Sequence, residues 1–349
     1  MGAFVKKNFI ILFVLLLPAF SKSNDPKTYF FHGIVDNETQ VKPLCKKTVF
    51  GDIISENFPD ASTCDSSAGI VTKCLAQITS QRERSAERPN GRVMNLEKMY
   101  LGQGPDIDHV LNTIKSYPTE NAILYGASRG ASTIVSALGK MHDHEIKNVK
   151  AVILESPVAD MLSSVDFYSA QLGIRLPERL FRAIFYQYPA KPYTPLQAIK
   201  DIKNKNIPIF IFTTAKDTVI DPAQPWILYR AFLQAGFKNV YISESPQGKH
   251  CKMHLEDQSI IHNHYYAPVQ AFYKKHNLHK NDHSNFQCDN INLKDFQPSV
   301  EEAQEKIDFY KKKRALLFKK NLARNTALIG SMAIAVICLI WRVKRKKQK

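Results

Sequence analysis

Short apolar segments alternate with helix-like segments through most of this sequence, and that alternation restricts its fold more than any other feature. Each apolar segment is rich in β-branched and aromatic residues, as expected of a strand buried on both faces of a sheet. Helix-like segments lie between them at 106–117, 130–143 and 225–236. This order predicts an α/β fold with a mainly parallel sheet flanked by helices. The predicted strands are 28–33, 122–126, 149–156, 207–215 and 239–245, with a sixth within 48–59.

The net charge of +16 would suit a nucleic-acid-binding protein, but the charge is unevenly distributed. Residues 311–349 contain 13 Lys and Arg and no Asp or Glu, which leaves a formal charge of only +3 on the other 310 residues. A nearly neutral body lacks the broad basic face that a phosphate backbone requires. We therefore predict no nucleic-acid partner.

Both ends of the chain carry an apolar run. At 1–23, two lysines, a dozen mostly apolar residues and small polar residues follow one another, which is typical of a signal peptide or N-terminal anchor. The run 326–341 is near the minimum length for crossing the ~30 Å apolar core of a bilayer. We predict a single transmembrane helix there, a cytoplasmic basic tail at 342–349, and a main domain in the periplasm, lumen or outside.

Between its ends the sequence divides into a domain at 27–280 and a linker with a basic juxtamembrane helix at 281–325. Within the domain, 161–206 is too long for a simple crossover and is rich in aromatic residues and Arg, so it predicts a small helical cap. Residues 298–325 carry acidic side chains early and basic ones late, an order that stabilises a helix. Such a helix could lie on anionic lipid headgroups or form a solvated stalk.

The sequence GASRG at 126–130 joins a predicted strand to a predicted helix. A nucleophile at such a junction sits on a tight turn, so its neighbours two positions away must be small. Gly126 and Gly130 meet this requirement, and Ser128 is the candidate nucleophile. The alternative is a glycine-rich turn whose serine only caps the helix.

A serine hydroxyl becomes nucleophilic when a base removes its proton and an acid orients that base. The strand–serine–helix junction, the earlier sequence FFHG and a later acid and histidine resemble the α/β-hydrolase superfamily over about 27–280, with esterase-like or oligopeptidase-like members as the nearest in character. The resemblance implies that Asp217, after the fourth of the five main strands, is the acid. It implies that His250, after the last strand, is the base. Asp221 and His254 are the alternates.

The resemblance also implies where an oxyanion would bind. One backbone N–H should come from Arg129, directly after the nucleophile, and the other from Ile34, in the loop after FFHG. His32 and Gly33 resemble the His-Gly pair of the superfamily, although many lipases and esterases have HGGG at this position.

These features predict a membrane-anchored serine hydrolase that cleaves an ester, thioester or amide through an acyl-enzyme and needs no cofactor or metal. Its expected partners are a small-molecule, lipid-ester or peptide substrate and the membrane bilayer, including anionic headgroups. One alternative is a non-catalytic binding protein with the same fold. The other is a metal-dependent hydrolase, because His250, His254 and Asp257, or His262 and His264, could serve as ligands.

Overall fold

A parallel β-sheet lies at the centre of the protein in its computed structural model, which describes residues 26–31, 53–56, 100–117, 121–184, 188–251, 262–278 and 288–347. The described strands are β1 (Lys27–Phe31), β2 (Ile53–Glu56), β3 (Ala122–Ala127), β4 (Val149–Glu155), β5 (Ile209–Thr214) and β6 (Val240–Ser245). They lie in the order β2-β1-β3-β4-β5-β6, and each pair of neighbours is parallel. The predicted α/β fold with a parallel sheet is confirmed, and the five main strands begin and end within two residues of their predicted bounds.

Helices pack on both faces of this sheet. The helices of the described residues are α1 (Pro105–Ser116), α2 (Arg129–Lys140), α3 (Asp143–Ile146), α4 (Ser164–Leu172), α5 (Glu178–Ile184), α6 (Pro195–Asp201), α7 (Ala223–Gln234), α8 (Ala267–His276) and α9 (Val300–Lys347). A π-helical turn at His262–Tyr266 precedes α8, and a short 3₁₀ helix at Leu293–Phe296 precedes α9.

Strand β5 illustrates why the sheet is covered on both sides. Its side chains alternate between two apolar cores, with Ile209 and Ile211 in one core and Phe210 and Phe212 in the other. All six residues of β5 are buried. Helices α1, α2, α6, α7 and α9 contribute to the first core, and α8 with the 3₁₀ helix contributes to the second.

A half-buried histidine packs against the second core and makes stability depend on pH. His276 ends α8, where its Nε2 lies 3.2 Å from the Tyr241 hydroxyl and its ring packs against Phe272. Burial, with a smaller contribution from the charge of Lys275, lowers the pKa of His276 from its ordinary value of 6.5 to about 4. The unfolded chain therefore binds a proton near pH 6.5 that the folded chain resists until about pH 4.

We expect a His276→Gln variant to lose less stability than the wild type as the pH falls from 6.5 to 4. Neutral His276 stabilises the fold fully above pH 6.5, and this contribution disappears as the pH falls toward 4. Urea unfolding at several pH values measures the slope of the unfolding free energy. The exposed His144 supplies a control, since His144→Gln should leave the slope unchanged. Equal slopes for wild type and His276→Gln would contradict the prediction.

The segment 161–206, predicted as a cap, divides between two regions. Helices α4 and α5 leave the main body of the domain, whereas α6 packs on the first core, which we call the main core. Ala198 and Ile199 of α6 are fully buried there. The close approach of α6 to α2 explains this placement, because a Cβ on Gly139 would lie only 2.8 Å from the Cα of Ala198. The cap described by the structure therefore consists of α4, α5 and the turns around them.

The first half of the 48-residue helix α9 packs against the main domain. Ala303, Ile307 and Tyr310 are buried in the main core, and further along Asn321 donates its side-chain amide to the carbonyl oxygens of Ala170 and Gln171. The part of this helix predicted to be a stalk or to lie on lipid is thus packed along one face on α7 and α4.

Two predictions about the chain ends concern residues that the structure describes only in part. The predicted signal sequence at 1–23 lies outside the described residues. The segment 326–341 is helical as part of α9, but most of its side chains also lie outside them. Among the residues described, the structure offers no helix with the length and apolar character that a membrane span requires.

Candidate active site

Ser128 occupies the sharp turn between β3 and α2. Its backbone has φ 52° and ψ −114°, an uncommon conformation for a residue other than glycine, and its side chain makes no capping hydrogen bond to the helix. Its N–H donates to the carbonyl oxygen of Glu155 at 2.7 Å. A Cβ on Gly126 would lie 2.5 Å from the nitrogen of Ala131, so glycine alone fits there. The turn has the strained geometry of a nucleophile elbow, and the helix-capping alternative lacks its hydrogen bond.

The side chain of Arg129 anchors the elbow through a buried ion pair. Its side chain is fully buried, and its Nε lies 3.6 Å from the Oδ2 of Asp106, which is also buried. The same oxygen accepts the N–H of Gly102 at 2.7 Å, so this ion pair ties the elbow to the start of α1. Because Arg129 is the first residue of α2, its backbone N–H is one of the donors for which the helix itself provides no acceptor. That position suits an oxyanion donor.

Asp217 and His250 form a direct pair at the carboxyl edge of the sheet. The Oδ2 of Asp217, just after β5, lies 2.7 Å from the Nδ1 of His250, in the loop after β6. The other oxygen, Oδ1, accepts the N–H groups of Val219 and Ile220 at 2.8 and 2.9 Å. Backbone donors therefore fix the carboxylate so that its free edge meets the imidazole.

The second ring nitrogen of His250 contacts the next residue in the chain. Its Nε2 lies 3.5 Å from the Sγ of Cys251, and that sulfur lies 3.9 Å from the carbonyl oxygen of Glu155. This is the carbonyl that accepts the N–H of Ser128. The end of β4 thus links the loop that carries His250 to the turn that carries Ser128. The hydroxyl of Thr214 also holds the His250 loop, because it donates to the carbonyl oxygens of Gln247 and Gly248.

Asp221, the alternate acid, has a different role. Its Oδ1 accepts the N–H of Ala223 at the start of α7, and its Oδ2 lies 2.5 Å from the Nη1 of Arg314 on α9. Its side chain is 2% exposed. Asp221 is therefore a helix-capping and ion-pairing residue, while Asp217 meets the imidazole.

Some predicted site residues cannot be compared with the structure. Ile34, His32, Gly33 and the alternate base His254 all lie outside the described residues. Their roles stay predictions.

Arg314 on α9 contacts the loop between β5 and α7, here called the acid loop, and was not identified from the sequence. It is 93 residues away from Asp221 and stands in a run of basic residues, so no local signal distinguishes it from its solvated neighbours. We expect Arg314→Gln to lower the unfolding free energy by about 2 kcal/mol, because it leaves the buried Asp221 carboxylate without its cation. Activity of the site should fall as well, since Asp221 and Asp217 share one loop. Thermal unfolding and rate measurements test both effects.

A neighbouring lysine on α9 provides the control for this prediction. Lys312 is exposed, so Lys312→Gln removes the same charge without touching the acid loop. Equal losses of stability in the two variants would show that the helix responds only to its net charge.

The structure describes only some of the histidines of the metal alternative. His262 and His264 belong to the π-helical turn, where the carbonyl oxygen of His264 accepts the hydroxyl of Ser243, and burial lowers the pKa of His264. His254 and Asp257 lie outside the described residues. Within the described ranges, no three His, Cys, Asp or Glu side chains come together in a group able to hold a metal ion.

The parallel sheet, the strained serine turn and the acid–histidine pair at one sheet edge define the class of protein: a serine hydrolase of the α/β-hydrolase superfamily. Comparison with known families agrees. Residues 108–279, just under half of the 349-residue chain, match the sequence model of the prolyl oligopeptidase family. The matched range includes Ser128, Asp217 and His250.

Several solved structures resemble the chain in fold. An esterase of Pyrococcus furiosus shares 15% identity with a TM-score of 0.44, covering 73% of this chain and 84% of its own. An acylaminoacyl peptidase of Pyrococcus horikoshii shares 15% identity with a TM-score of 0.46, covering 78% and 40%. A fungal esterase of Rhizomucor miehei shares 17% identity with a TM-score of 0.43, covering 74% and 77%. Among curated proteins, no significant sequence match was found.

Proposed function

We propose that this protein is a membrane-anchored hydrolase that transfers the acyl group of a peptide or ester to water through Ser128, His250 and Asp217. One observation carries the assignment: the 2.7 Å contact between Asp217 Oδ2 and His250 Nδ1, at the sheet edge where Ser128 occupies its strained turn. The three residues come in the chain order serine, acid, histidine, as in the α/β-hydrolase pattern.

The proposed reaction has two halves. In the first, Nε2 of His250 takes the proton of the Ser128 hydroxyl while the oxygen attacks the carbonyl carbon, and Asp217 stabilises the resulting imidazolium. The negative charge on the carbonyl oxygen is met by the N–H of Arg129 and, as predicted from sequence, by that of Ile34. His250 then returns the proton to the departing amine or alkoxide, which leaves an acyl-serine. In the second half, His250 activates water, the acyl-serine is hydrolysed, and Ser128 regains its proton.

The cap covers the loop that follows Asp217, which favours a substrate of limited size. The hydroxyl of Tyr168 on α4 donates to the carbonyl oxygen of Val219, and the amide of Gln171 donates to that of Thr218. These bonds hold the cap on the loop that follows Asp217, so substrate must pass beside it. The match to the prolyl oligopeptidase family favours peptide bonds, and ester hydrolysis follows the same steps.

The proposal places the catalytic domain outside the cytoplasm, with 326–341 as its anchor. The apolar composition of 326–341, the basic residues on both sides and the signal-like sequence at 1–23 support this arrangement. Resistance of the full chain to carbonate extraction from membranes, with release after deletion of 326–349, tests the anchor.

The catalytic part of the proposal is tested by labelling the full chain with a fluorophosphonate probe, together with rates on peptide and ester substrates of graded length. We expect labelling that His250→Ala suppresses and that chelators leave unchanged. A binding protein with this fold would not be labelled. A metal-dependent hydrolase would lose its activity to chelators and regain it with zinc.

A further inference from the structure

Three large apolar side chains are exposed where the cap meets α9. Leu172 and Ile174 belong to the cap, and Leu322 belongs to α9, with between 42% and 57% of each residue's surface exposed. We call these three residues the cap–helix patch. Soluble proteins seldom group large apolar side chains on one surface unless a partner covers them.

Close packing between α4 and α9 makes the two halves of this patch neighbours. The side-chain amide of Asn325 donates to the carbonyl oxygen of Leu172 at 2.7 Å. Gly173 of the cap lies against Asn321, one helical turn before Asn325 on α9. A Cβ on Gly173 would overlap the backbone of Asn321, and Gly173 adopts φ 66°, so glycine is required for this approach. The cap turn at Leu172 is thus fixed on the last turns of α9 before residue 326.

The charge around the patch is of one sign on α9. Residues 311–328 contain seven Lys and Arg and no acidic residue, and Lys319, Lys320 and Arg324 are exposed beside the patch. On the cap, Arg175 and Arg179 are also exposed, and the exposed Glu178 is paired with Arg182. Apolar side chains surrounded by cations match the interface of a bilayer that contains anionic lipids, where leucines enter the acyl region and cations meet headgroups.

We infer that the cap–helix patch is a membrane-docking surface that seats the cap of the enzyme on an anionic lipid bilayer. The position of the predicted anchor supports a bilayer rather than another protein as the occupant. Asn325, which binds the cap at Leu172, directly precedes 326–341, and Leu328 lies only ~5 Å further along the helix. A bilayer that receives the chain near residue 326 therefore meets the cap at the same level.

Docking would bring the catalytic centre close to the membrane. Helix α4 is hydrogen-bonded to the loop that carries Asp217, through Tyr168 to Val219 and Gln171 to Thr218. The inference rests on the anchoring part of the proposed function, but it concerns a different surface, and the two can fail separately.

Photocrosslinking to lipid tests the surface. The full chain, with benzoylphenylalanine replacing the exposed Ile174, is reconstituted in vesicles of phosphatidylglycerol and phosphatidylcholine and irradiated. The control carries the same group at the exposed His144, at the opposite end of the sheet. We expect about tenfold more lipid adduct from position 174 than from position 144. The yield at 174 should fall in pure phosphatidylcholine and in an Arg175→Gln, Arg179→Gln variant.

Carbonate extraction of the same vesicles separates the two claims. Equal adduct yields at positions 174 and 144, in a chain that resists extraction, would overturn the docking surface and leave the anchor intact. A chain that is extracted but still crosslinks from 174 in anionic vesicles would support the surface and contradict the anchor. Extraction without crosslinking would overturn both.

Discussion

Replacing Ser128 with Ala is expected to lower kcat/KM by at least about 10⁴-fold and to abolish fluorophosphonate labelling. The change removes only the side-chain hydroxyl group, but no acyl-enzyme can form without it. Only the oxyanion donors and substrate binding then remain to assist hydrolysis by water. The thermal unfolding temperature should not fall appreciably, because the Ser128 side chain makes no capping hydrogen bond. Labelling of the purified full chain, followed by rates on the best peptide or ester substrate, measures the effect.

A second serine on the same helix supplies the control. Ser136 is buried on α2 and donates to the carbonyl oxygen of Tyr193, away from the elbow. Ser136→Ala should cost about 1 kcal/mol of stability through the lost hydrogen bond and leave labelling intact. Persistent labelling of Ser128→Ala would show that another residue reacts with the probe and would remove Ser128 from its proposed role.

The features that could be predicted from sequence depend on residues close together in the chain. The apolar run of β3, the glycine at 126 and the start of α2 all lie within about one strand and one helix, so local sterics already indicate a strained turn at Ser128. Alternation of strands and helices likewise predicts parallel pairing, since each crossover must return the chain to the same sheet edge. The carboxyl ends of β3, β5 and β6 therefore meet without knowledge of any side-chain contact.

The features that were not predictable depend on packing between distant segments. The segment 298–325 could equally be a solvated stalk or a lipid-bound helix when considered alone. Its burial through Ile307 and Tyr310, and the contact of Arg314 with Asp221, require the finished domain as a surface. For the same reason, the assignment of α6 to the main core was not evident, because it depends on the fit of Ala198 against Gly139.

The choice between two acids shows the same limit within a single loop. Asp217 and Asp221 both follow β5, and an Asp at the end of a strand commonly forms a turn or caps a helix. Sequence order favours Asp217 through the family resemblance alone. The partners separate them in space, since Asp217 meets His250 whereas Asp221 caps α7 and pairs with Arg314.

Replacing each acid with its amide should therefore affect different properties, kcat for Asp217 and stability for Asp221. Asp217→Asn is expected to lower kcat by about 10⁴-fold with little change in fold, because the amide cannot stabilise the imidazolium and can hold His250 in the wrong tautomer. Asp221→Asn should lower the unfolding temperature by weakening the contact with Arg314, while kcat falls less than about tenfold. Rates and thermal unfolding measured on both variants check the pair. A larger loss of kcat in Asp221→Asn than in Asp217→Asn would reverse the assignment, because the 2.7 Å contact with His250 would then not be the one that orients the base.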